Sequence, residues 1–512
     1  MADDAAIPAG PDLAQGVSAE QLRERTMLVG HVGDEAVLLA RVGDEYLAID
    51  AQCTHYHGPL GDGLLVDDTV RCPWHHACFS LRTGEALRAP ALNAAGCWAT
   101  EVRGDKVVVL HRKPSGVPKA ARGIDAAVQR VVIVGGGAAG FAAAQRLREL
   151  GYAGSLVMLS DDAAAPVDRP NLSKDYLAGT APEEWLPLCE ASFFAEHRID
   201  LRLDCRATSL DTAAARLALS TGDSLAYDRL LLATGAEPVR LAMPGVDLPH
   251  VHTLRSVADC RAIIANAGTA RRAVVIGASF IGLEVAASLR ARAIEVDVVA
   301  PEQRPMERVL GPQMGDFVRR LHESRGVRFH LGDTVAAIEA DRVTLKSGTP
   351  LQAELVVMGV GVRPRLELAG QAGLTLDRGV LVDAWLRTSA PNVYAAGDIA
   401  RWPDARGGQT LRVEHWVVAQ RQGRTAASNM LGLRERFDAV PFFWSQHYDT
   451  SINYVGHADG WDEIEVQGDI DARECVLRYK RAGRVLAVAS IGRDVDSLQA
   501  ELAMERRPAT VP

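Results

Sequence analysis

The sequence predicts a multidomain protein in which an all-β domain is followed by an α/β region and then by an α+β domain. Its 512 residues exceed the usual size of a single domain. Residues 23–112 contain short runs of alternating apolar and polar residues, which is the period of half-buried strands. Two later segments, beginning at Val131 and Val274, each place a buried strand before glycines and a helix, which is typical of α/β folds.

Composition excludes several classes of protein. Net charge is −9, from 65 acidic and 56 basic residues, and this argues against a nucleic-acid partner, which favours a basic face. The acidic N-terminus lacks the pattern of a signal peptide, and the eight cysteines are spread thinly, so we expect a cytoplasmic protein. Apolar runs near residues 131–144 and 273–289 are interrupted by glycines or by Glu284, so no membrane span is expected.

The first part of the chain is expected to contain a leader, a small β domain and a linker. Residues 1–20 are rich in Ala, Asp, Pro and Gly, which predicts a flexible leader. Residues 21–112 form the all-β domain, with a hairpin turn at Gly104 and Asp105. Residues 113–127 are rich in Pro, Gly, Ala and basic side chains, and we interpret them as the linker.

Two pairs of metal-binding side chains lie within the β domain. Cys53 and His55 form a Cys-x-His pair, and Cys72 and His75 form a Cys-x-x-His pair. Two thiolates and two imidazoles suit a [2Fe–2S] cluster in which sulfur holds one iron and nitrogen holds the other. Structural zinc is the alternative, although zinc sites usually pair Cys with Cys and His with His.

This segment resembles Rieske ferredoxin domains. In high-potential Rieske proteins a disulfide joins the two cluster loops, but Gly58 and Trp74 stand at those places here. The resemblance therefore implies the ferredoxin type, with a potential in the lower part of the Rieske range. We interpret His57 and His76 as surface or supporting histidines, and Cys78 as a small apolar residue.

The segment from Val131 carries a dinucleotide-binding fingerprint. Gly135 permits a tight turn, Gly137 permits close approach of a pyrophosphate, and Gly140 permits the helix to pack on the strand. Ala138 and Ala139 begin that helix, whose N-terminus would face the phosphates. An acid after the next strand would bind a ribose, and we choose Asp161, with Asp162 as the alternative.

A second fingerprint follows, with Ser279 at the place of the middle glycine. Its other positions are Gly277, Phe280, Ile281 and Gly282. Glu302 comes after the following strand, where an acid would pair with a ribose diol and repel a 2′-phosphate. This favours NADH over NADPH, although Arg304 stands close by in the sequence.

Two such folds in one chain imply two nucleotides, one kept as flavin and one exchanged as nicotinamide. Ala233, Thr234 and Gly235 follow a buried strand and would close the flavin fold. Asp398 follows a strand and a glycine and could accept a hydrogen bond from the flavin's ribityl chain, or it could simply cap a turn.

At this point residues 128–512 resemble the FAD-dependent ferredoxin reductases of oxygenase systems and the apoptosis-inducing factors, which have a glutathione-reductase-like fold. The segments that carry this resemblance begin at Asp168, Gly282 and Arg412. It implies that Lys174 and Glu284 form an ion pair beside the isoalloxazine, and both are our catalytic candidates. It also implies FAD contacts for four further positions. These are Arg169, Glu414, His415 and Trp416.

The resemblance also divides the second part of the chain. An FAD-binding domain would comprise residues 128–250 and 369–440, with the NAD(P)H-binding domain inserted as residues 251–368. A C-terminal reductase domain would comprise residues 441–512. With the Rieske-like domain in front, the whole chain resembles the apoptosis-inducing-factor-like proteins that fuse both parts.

The predicted function is electron transfer from NADH through FAD to the chain's own [2Fe–2S] cluster. No cysteine pair lies near Asp168–Lys174, so dithiol chemistry is not expected. The final acceptor could be an oxygenase, a cytochrome or a ferredoxin, and a homodimer is one possible oligomeric state. The alternatives are an NADH-binding redox sensor with slow turnover, or a Rieske domain that serves only for docking.

Overall fold

The computed structural model describes residues 9–114 and 123–507, which form two compact units. The first unit contains the described residues of Met1–Ala121 together with Glu149–Gly151 and Arg493–Arg507. The second unit contains the described residues of Arg122–Arg148 and Tyr152–Gly492. No helix among the described residues is long and apolar enough to cross a bilayer.

Two antiparallel sheets form the first unit. The larger sheet has six strands, in the spatial order Val17–Ser18, Lys106–Arg112, Cys97–Arg103, Glu45–Asp50, Glu35–Val42 and Met27–Val32. The smaller sheet has four, in the order Leu64–Val66, Thr69–Arg71, Cys78–Ser80 and Ala86–Arg88. Both sheets bury apolar residues, and the turn at Gly104 joins two paired strands as the sequence predicts.

The expected leader is partly folded, and this corrects the prediction for residues 1–20. Leu13 is fully buried, and Val17 pairs with Val107 at the edge of the six-stranded sheet. Because this segment is rich in Ala and Gly, its two buried side chains give no visible apolar period, and they are not identified as core positions from the sequence. Residues 1–8, and residues 115–122 of the expected linker, lie outside the described part of the chain.

Two parallel sheets form the centre of the second unit. The first has the order Asp200–Arg202, Ser155–Leu159, Arg130–Val134, Arg229–Leu232 and Val393–Ala395. The second has the order Val251–Thr253, Leu355–Met358, Arg272–Ile276, Glu295–Ala300 and Val327–Leu331. Each central strand leads into a helix, Ala138–Glu149 in the first fold and Phe280–Ala291 in the second. In parallel sheets of this kind, ligands bind beyond the carboxyl ends of the strands.

Shorter sheets and further helices complete both folds, and these sheets are antiparallel except for the parallel pair of Val380–Leu381 with Ala400–Pro403. The paired strands are Ala207–Asp211, Arg216–Leu219 and Ser224–Ala226, then Val335–Ile338, Arg342–Leu345 and Pro350–Gln352, then Ala236–Pro238 with Val362–Pro364, and then Val380–Leu381, Ala400–Pro403 and Thr410–Leu411. The remaining α-helices of this unit are Asp175–Ala178, Ser192–Glu196, Val257–Ala267, Glu307–Ser324, Glu367–Gln371 and Trp416–Met430.

The expected C-terminal domain is divided between the two units. Its five-stranded antiparallel sheet has the order Phe442–His447, Thr450–Gly456, Arg484–Ile491, Glu474–Arg481 and Glu463–Asp469 and belongs to the second unit. The helix Asp494–Glu505 belongs to the first unit, where buried Glu501 accepts a hydrogen bond of 2.8 Å from His76 Nδ1. The bounds 441–512 of the expected C-terminal reductase domain stay a prediction.

Candidate functional site

Two similar loops of the first unit carry the four candidate cluster ligands. Cys53 and His55 follow the strand Glu45–Asp50, and Cys72 and His75 follow the strand Thr69–Arg71. In each loop the cysteine carbonyl accepts a backbone hydrogen bond from the residue four positions later, at 2.9 Å for Cys53 and 3.2 Å for Cys72. Those two donors, His57 and His76, have positive φ values of 57° and 61°. The two loops therefore have the same kind of turn, and each presents its cysteine and histidine side chains in a similar arrangement.

The thiols lie inside the unit and the imidazoles lie nearer its surface. Cys53 and Cys72 are each 2% exposed, and a hydrogen bond between the thiols raises the pKa of Cys53 and lowers that of Cys72. The His55 and His75 rings are half-buried, with centroids 5.1 Å apart. A Cβ on Gly58 would lie 2.8 Å from Cys72 Sγ, so this loop leaves no room for a side chain.

This arrangement fits a Rieske cluster. The paired thiols match one iron and the paired imidazoles match the other. Burial lowers the pKa of His55 to about 4, which keeps its imidazole in the neutral form that binds metals. Across residues 9–114 and 123–507, no group of three or more His, Cys, Asp or Glu side chains surrounds a single ion position.

A cavity of about 1460 Å³ in the second unit collects most of the other predicted residues. Both parallel-sheet folds and the C-terminal sheet line it. The predicted residues on its wall are Gly137, Ala138, Ala139, Arg169, Lys174, Ala233, Gly235, Gly277, Ser279, Phe280, Ile281, Glu284, Glu302, Asp398, Glu414, His415 and Trp416. Five others do not line it, namely Gly135, Gly140, Asp161, Thr234 and Gly282.

Three of those five are glycines that let the helices approach the strands. A Cβ on Gly135, whose φ is +128°, would lie 2.1 Å from the carbonyl oxygen of Ala233. A Cβ on Gly140 would lie 1.9 Å from the carbonyl oxygen of Gly135, and Gly282 is restricted in the same way by Gly277. These positions shape the two folds without contacting the cavity.

A positive charge faces the start of the first helix. Arg169 Nη1 lies 3.3 Å from the place that a Cβ of Gly137 would occupy, beside the helix that begins at Ala138. Burial lowers the pKa of Arg169 to about 10, so the guanidinium remains charged at neutral pH. No carboxylate among the described residues forms an ion pair with it. A helix N-terminus and an uncompensated guanidinium together suit the pyrophosphate of a dinucleotide.

The two predicted ribose or ribityl acids have different surroundings. Asp398 lines the cavity, is 8% exposed and pairs with Arg255 Nη2 at 2.7 Å. Asp161 is exposed, and its carboxylate pairs with Arg365 at 2.7 Å and with Arg206 at 3.4 Å. A ribose contact for Asp161 therefore stays a prediction, and those two arginines would share the carboxylate.

Lys174 and Glu284 meet at the cavity wall as the resemblance implies. Lys174 Nζ lies 2.8 Å from Glu284 Oε2, and these side chains are 11% and 2% exposed. The hydroxyl of Ser173 donates to Oε2 at 2.6 Å, and the hydroxyl of Ser445 donates to Oε1 at 2.6 Å. The carboxylate is thus held by one ammonium and two hydroxyls, which compensate for the loss of water.

Sequence reasoning missed the two serines and Arg255. Ser173 stands beside Lys174 in the motif, so its position could have been noticed. Ser445 lies 161 residues from Glu284, and Arg255 lies 143 residues from Asp398, so no local pattern identifies either contact.

Glu302 and Arg304, at the second fold, differ in their surroundings. Glu302 is exposed and lines the cavity beyond the strand Glu295–Ala300. Arg304 already pairs with Asp316 at 2.9 Å and with Glu307 at 3.1 Å. A 2′-phosphate at this place would face the carboxylate of Glu302, while the guanidinium of Arg304 is held by two other carboxylates. Arg308 also lines the cavity.

Comparison with family models gives three matches along the chain. A Rieske [2Fe-2S] domain model matches residues 15–119, and a pyridine nucleotide-disulphide oxidoreductase model matches residues 129–423. A reductase C-terminal model matches residues 442–511. The middle match alone spans more than half of the chain.

Individual relatives agree with these matches. Apoptosis-inducing factor 3 of Mus musculus is 34% identical over 476 residues, which is 90% of this chain and 78% of that protein. Rhodocoxin reductase of Rhodococcus erythropolis is 36% identical, over 72% of this chain and 88% of that protein. The solved covalent putidaredoxin reductase–putidaredoxin complex matches with a TM-score of 0.72 and 34% identity, over 75% of this chain and 94% of the solved one.

Proposed function

The chain belongs to the pyridine nucleotide-disulphide oxidoreductase family, and on that premise we propose that it passes electrons from NADH through FAD to its own Rieske cluster. It is an NAD(P)H-dependent, ferredoxin-reductase-like flavoprotein with a Rieske [2Fe-2S] domain. FAD accepts two electrons with a hydride, and the cluster carries one electron at a time.

One observation carries the proposal: a single chain contains both a two-dinucleotide cavity and a complete set of cluster ligands. The cavity joins the walls of both parallel-sheet folds. The ligands Cys53, His55, Cys72 and His75 lie on two adjoining loops of the first unit. Fusion of donor and acceptor raises their effective concentration compared with separate proteins.

We assign the cavity residues as follows. Arg169 and the N-terminus of the helix at Ala138 bind the FAD pyrophosphate. Asp398 accepts a hydrogen bond from the ribityl chain. Lys174 and Glu284 lie beside the isoalloxazine, where the ammonium orients the hydride acceptor and the carboxylate fixes the ammonium.

The nicotinamide cofactor is NADH in this proposal. Glu302 repels a 2′-phosphate, and the ion pairs of Arg304 keep that guanidinium from compensating. The preference is testable in one pair of variants. We expect Glu302→Gln to improve the use of NADPH, and Arg308→Gln to leave the use of NADH intact.

The acceptor beyond the cluster is a protein. The half-buried edge formed by His55 and His75 lies next to Tyr56 and Trp74, which are 36% and 41% exposed. Exposed aromatic side chains are common at protein interfaces. The solved relative was crystallised with putidaredoxin, and we propose a ferredoxin or an oxygenase component as the acceptor class here.

Anaerobic titration with NADH and then NADPH tests the proposal, with visible absorption and EPR recorded together. We expect NADH to bleach the flavin and the rhombic EPR signal of a reduced Rieske cluster to follow. The Cys72→Ser variant should keep flavin bleaching and lose the cluster signal, while Cys189→Ser, outside both sites, should behave like the parent chain.

Two outcomes would contradict the proposal. A bleached flavin beside an oxidised cluster would mean that the Rieske domain is a docking module. Slow flavin reduction with a long-lived nicotinamide complex would instead favour the redox sensor.

A further inference from the structure

A chain of hydrogen bonds in the second unit leads away from the buried carboxylate of Glu284. Ser445 Oγ lies 2.6 Å from Glu284 Oε1, and His447 Nε2 lies 3.0 Å from Ser445 Oγ. His322 Nε2 lies 3.2 Å from His447 Nδ1, and the Tyr448 hydroxyl lies 3.2 Å from His322 Nδ1. We call Ser445, His447, His322 and Tyr448 the histidine chain.

All hydrogen-bond donors in the histidine chain point toward Glu284. A carboxylate can only accept, so the hydroxyl hydrogen of Ser445 points to Glu284. His447 Nε2 must then donate to Ser445, which leaves its Nδ1 to accept from His322 Nε2. The remaining nitrogen of His322 accepts from the Tyr448 hydroxyl. Each neutral imidazole thus donates at one nitrogen and accepts at the other, as a continuous proton path requires.

Burial keeps both imidazoles neutral. It lowers the pKa of His447 to about 3, with a further contribution from the charge of Lys174, and it lowers the pKa of His322 well below its ordinary value. Ser445 is 1% exposed and both histidines are fully buried. A buried histidine pair of this kind needs directional hydrogen bonds, since any unpaired nitrogen would cost free energy.

Tyr448 is the one partly exposed member of the histidine chain, and it lies at a strained turn. It is half-buried, and the guanidinium carbon of Arg325 lies 5.4 Å from its ring centroid. Tyr448 and Asp449 form the two-residue loop between the strands Phe442–His447 and Thr450–Gly456. Tyr448 has a φ of +58° at the first loop position, where glycine is the residue that avoids strain. Strained backbone of this kind concentrates at functional positions.

We propose that the histidine chain is a proton relay between Glu284 and the protein exterior. This inference rests on the proposed function, because hydride transfer adds two electrons and one proton to the flavin site and therefore leaves it with one more negative charge. A proton passed inward from Tyr448 to Glu284 balances that charge, and Tyr448 regains a proton from water. When the two electrons leave one at a time, two protons are released: the one that arrived with the hydride and the one passed along the histidine chain. Outward transfer of the second proton along the histidine chain restores the original order of donors.

The resting protein gives the first test, independent of turnover. In ¹⁵N-histidine NMR of the full-length chain, we expect His322 and His447 to be neutral and protonated at Nε2. The signals are assigned by their loss in His322→Asn and His447→Asn. A cationic ring, or a proton on either Nδ1, would break the order of donors and overturn the relay.

Proton uptake during flavin reduction gives the second test. NADH is mixed anaerobically with the holoprotein in weak buffer that contains a pH indicator, and indicator colour and flavin absorbance are followed together. We expect uptake to accompany bleaching in the parent chain and to slow about 100-fold in Tyr448→Phe and in Ser445→Ala, as for other positioned proton-transfer groups. Tyr479→Phe is the control, because Tyr479 lies in the same sheet as Ser445 and its buried hydroxyl donates to the carbonyl oxygen of Leu310, outside the histidine chain.

The outcomes separate the two proposals. Flavin bleaching with unchanged proton uptake in both relay variants would overturn the relay and leave the electron path intact. No bleaching by NADH in the parent chain would overturn the proposed function, while the NMR result would still decide whether the chain is ordered as inferred.

Discussion

At the scale of single residues, the centre of the second unit is a buried charge with a complete set of donors. Glu284 is 2% exposed, and an uncompensated carboxylate at that depth would be costly. Lys174 supplies the opposite charge, and the Ser173 and Ser445 hydroxyls satisfy the remaining acceptor sites. The same contacts hold the ammonium at the cavity wall, in the place that the proposed function assigns to the flavin ring.

Lys174→Met should slow flavin reduction by NADH about 100-fold, because it removes a preorganised charge beside the reacting ring. Glu284→Gln should give a smaller loss, since the amide keeps the serine contacts but leaves Lys174 without its counter-ion. The double variant should be less impaired than the product of the two single losses, because both changes remove the same ion pair. Stopped-flow absorbance under anaerobic conditions measures these rates.

Lys480→Met is the matched control for this series. Lys480 pairs with Glu463 at 3.1 Å, and it does not line the cavity. Its removal should leave the rate of flavin reduction unchanged. Equal losses in Lys174→Met and Lys480→Met would show that the effect is a general one of charge rather than of position.

Residues close together in sequence were the ones that sequence alone could identify. Cys53 and His55 are two positions apart, so their shared loop was visible as a motif. His322 and His447 are separated by 125 residues, and neither has a distinctive neighbour. Lys174 needed the family resemblance, because an isolated lysine is usually a surface residue.

At the scale of elements, the helix Asp494–Glu505 supports the second cluster loop. Glu501 Oε2 accepts from His76 Nδ1 at 2.8 Å and lies 3.6 Å from Arg71 Nη1. Glu505 pairs with Arg71 at 2.7 Å and also with Arg88. His76 directly follows His75, the proposed cluster ligand, so the helix fixes the backbone that carries this residue.

Glu501→Gln should destabilise the cluster-bearing unit by about 3 kcal/mol, the cost expected when one partner of a buried ion pair is removed. The midpoint of cluster loss in guanidinium chloride, followed by visible circular dichroism, measures the change. Asp496→Asn on the same helix is the control. Its partner Arg493 lies 2.7 Å away in a partly exposed pair, so a loss below about 1 kcal/mol is expected.

Equal midpoints for Glu501→Gln and for the parent chain would show that the helix does not support the cluster loop.

Strand and helix types followed from local pattern, as in the hairpin at Gly104 and the helices after each glycine fingerprint. The placement of this helix did not, because His76 and Glu501 are 425 residues apart. The fold of residues 9–20 was missed for a related reason, since two buried side chains among Ala and Gly give no visible period.

At the scale of the whole molecule, the first unit is built from three stretches of the chain, of which Glu149–Gly151 is very short. Residues up to Ala121 build its two sheets, and the chain returns to it at Arg493 after completing the second unit. The helix that completes the cluster-bearing unit is therefore covalently continuous with the reductase sheet that ends at Ile491. The covalent connection between the two units therefore includes more than the expected linker.

Cleavage of the chain within the expected linker should leave the two fragments associated. A specific protease site placed within residues 115–122 would separate the sheets of the first unit from all following residues, including the helix Asp494–Glu505. The contacts of Arg71 and His76 with Glu501 are buried, so salt should screen them little. We expect the two fragments to co-elute in size-exclusion chromatography and to separate after Glu501→Ala is introduced. Separation of the parent fragments would instead mean that the linker alone holds the cluster domain to the flavoprotein.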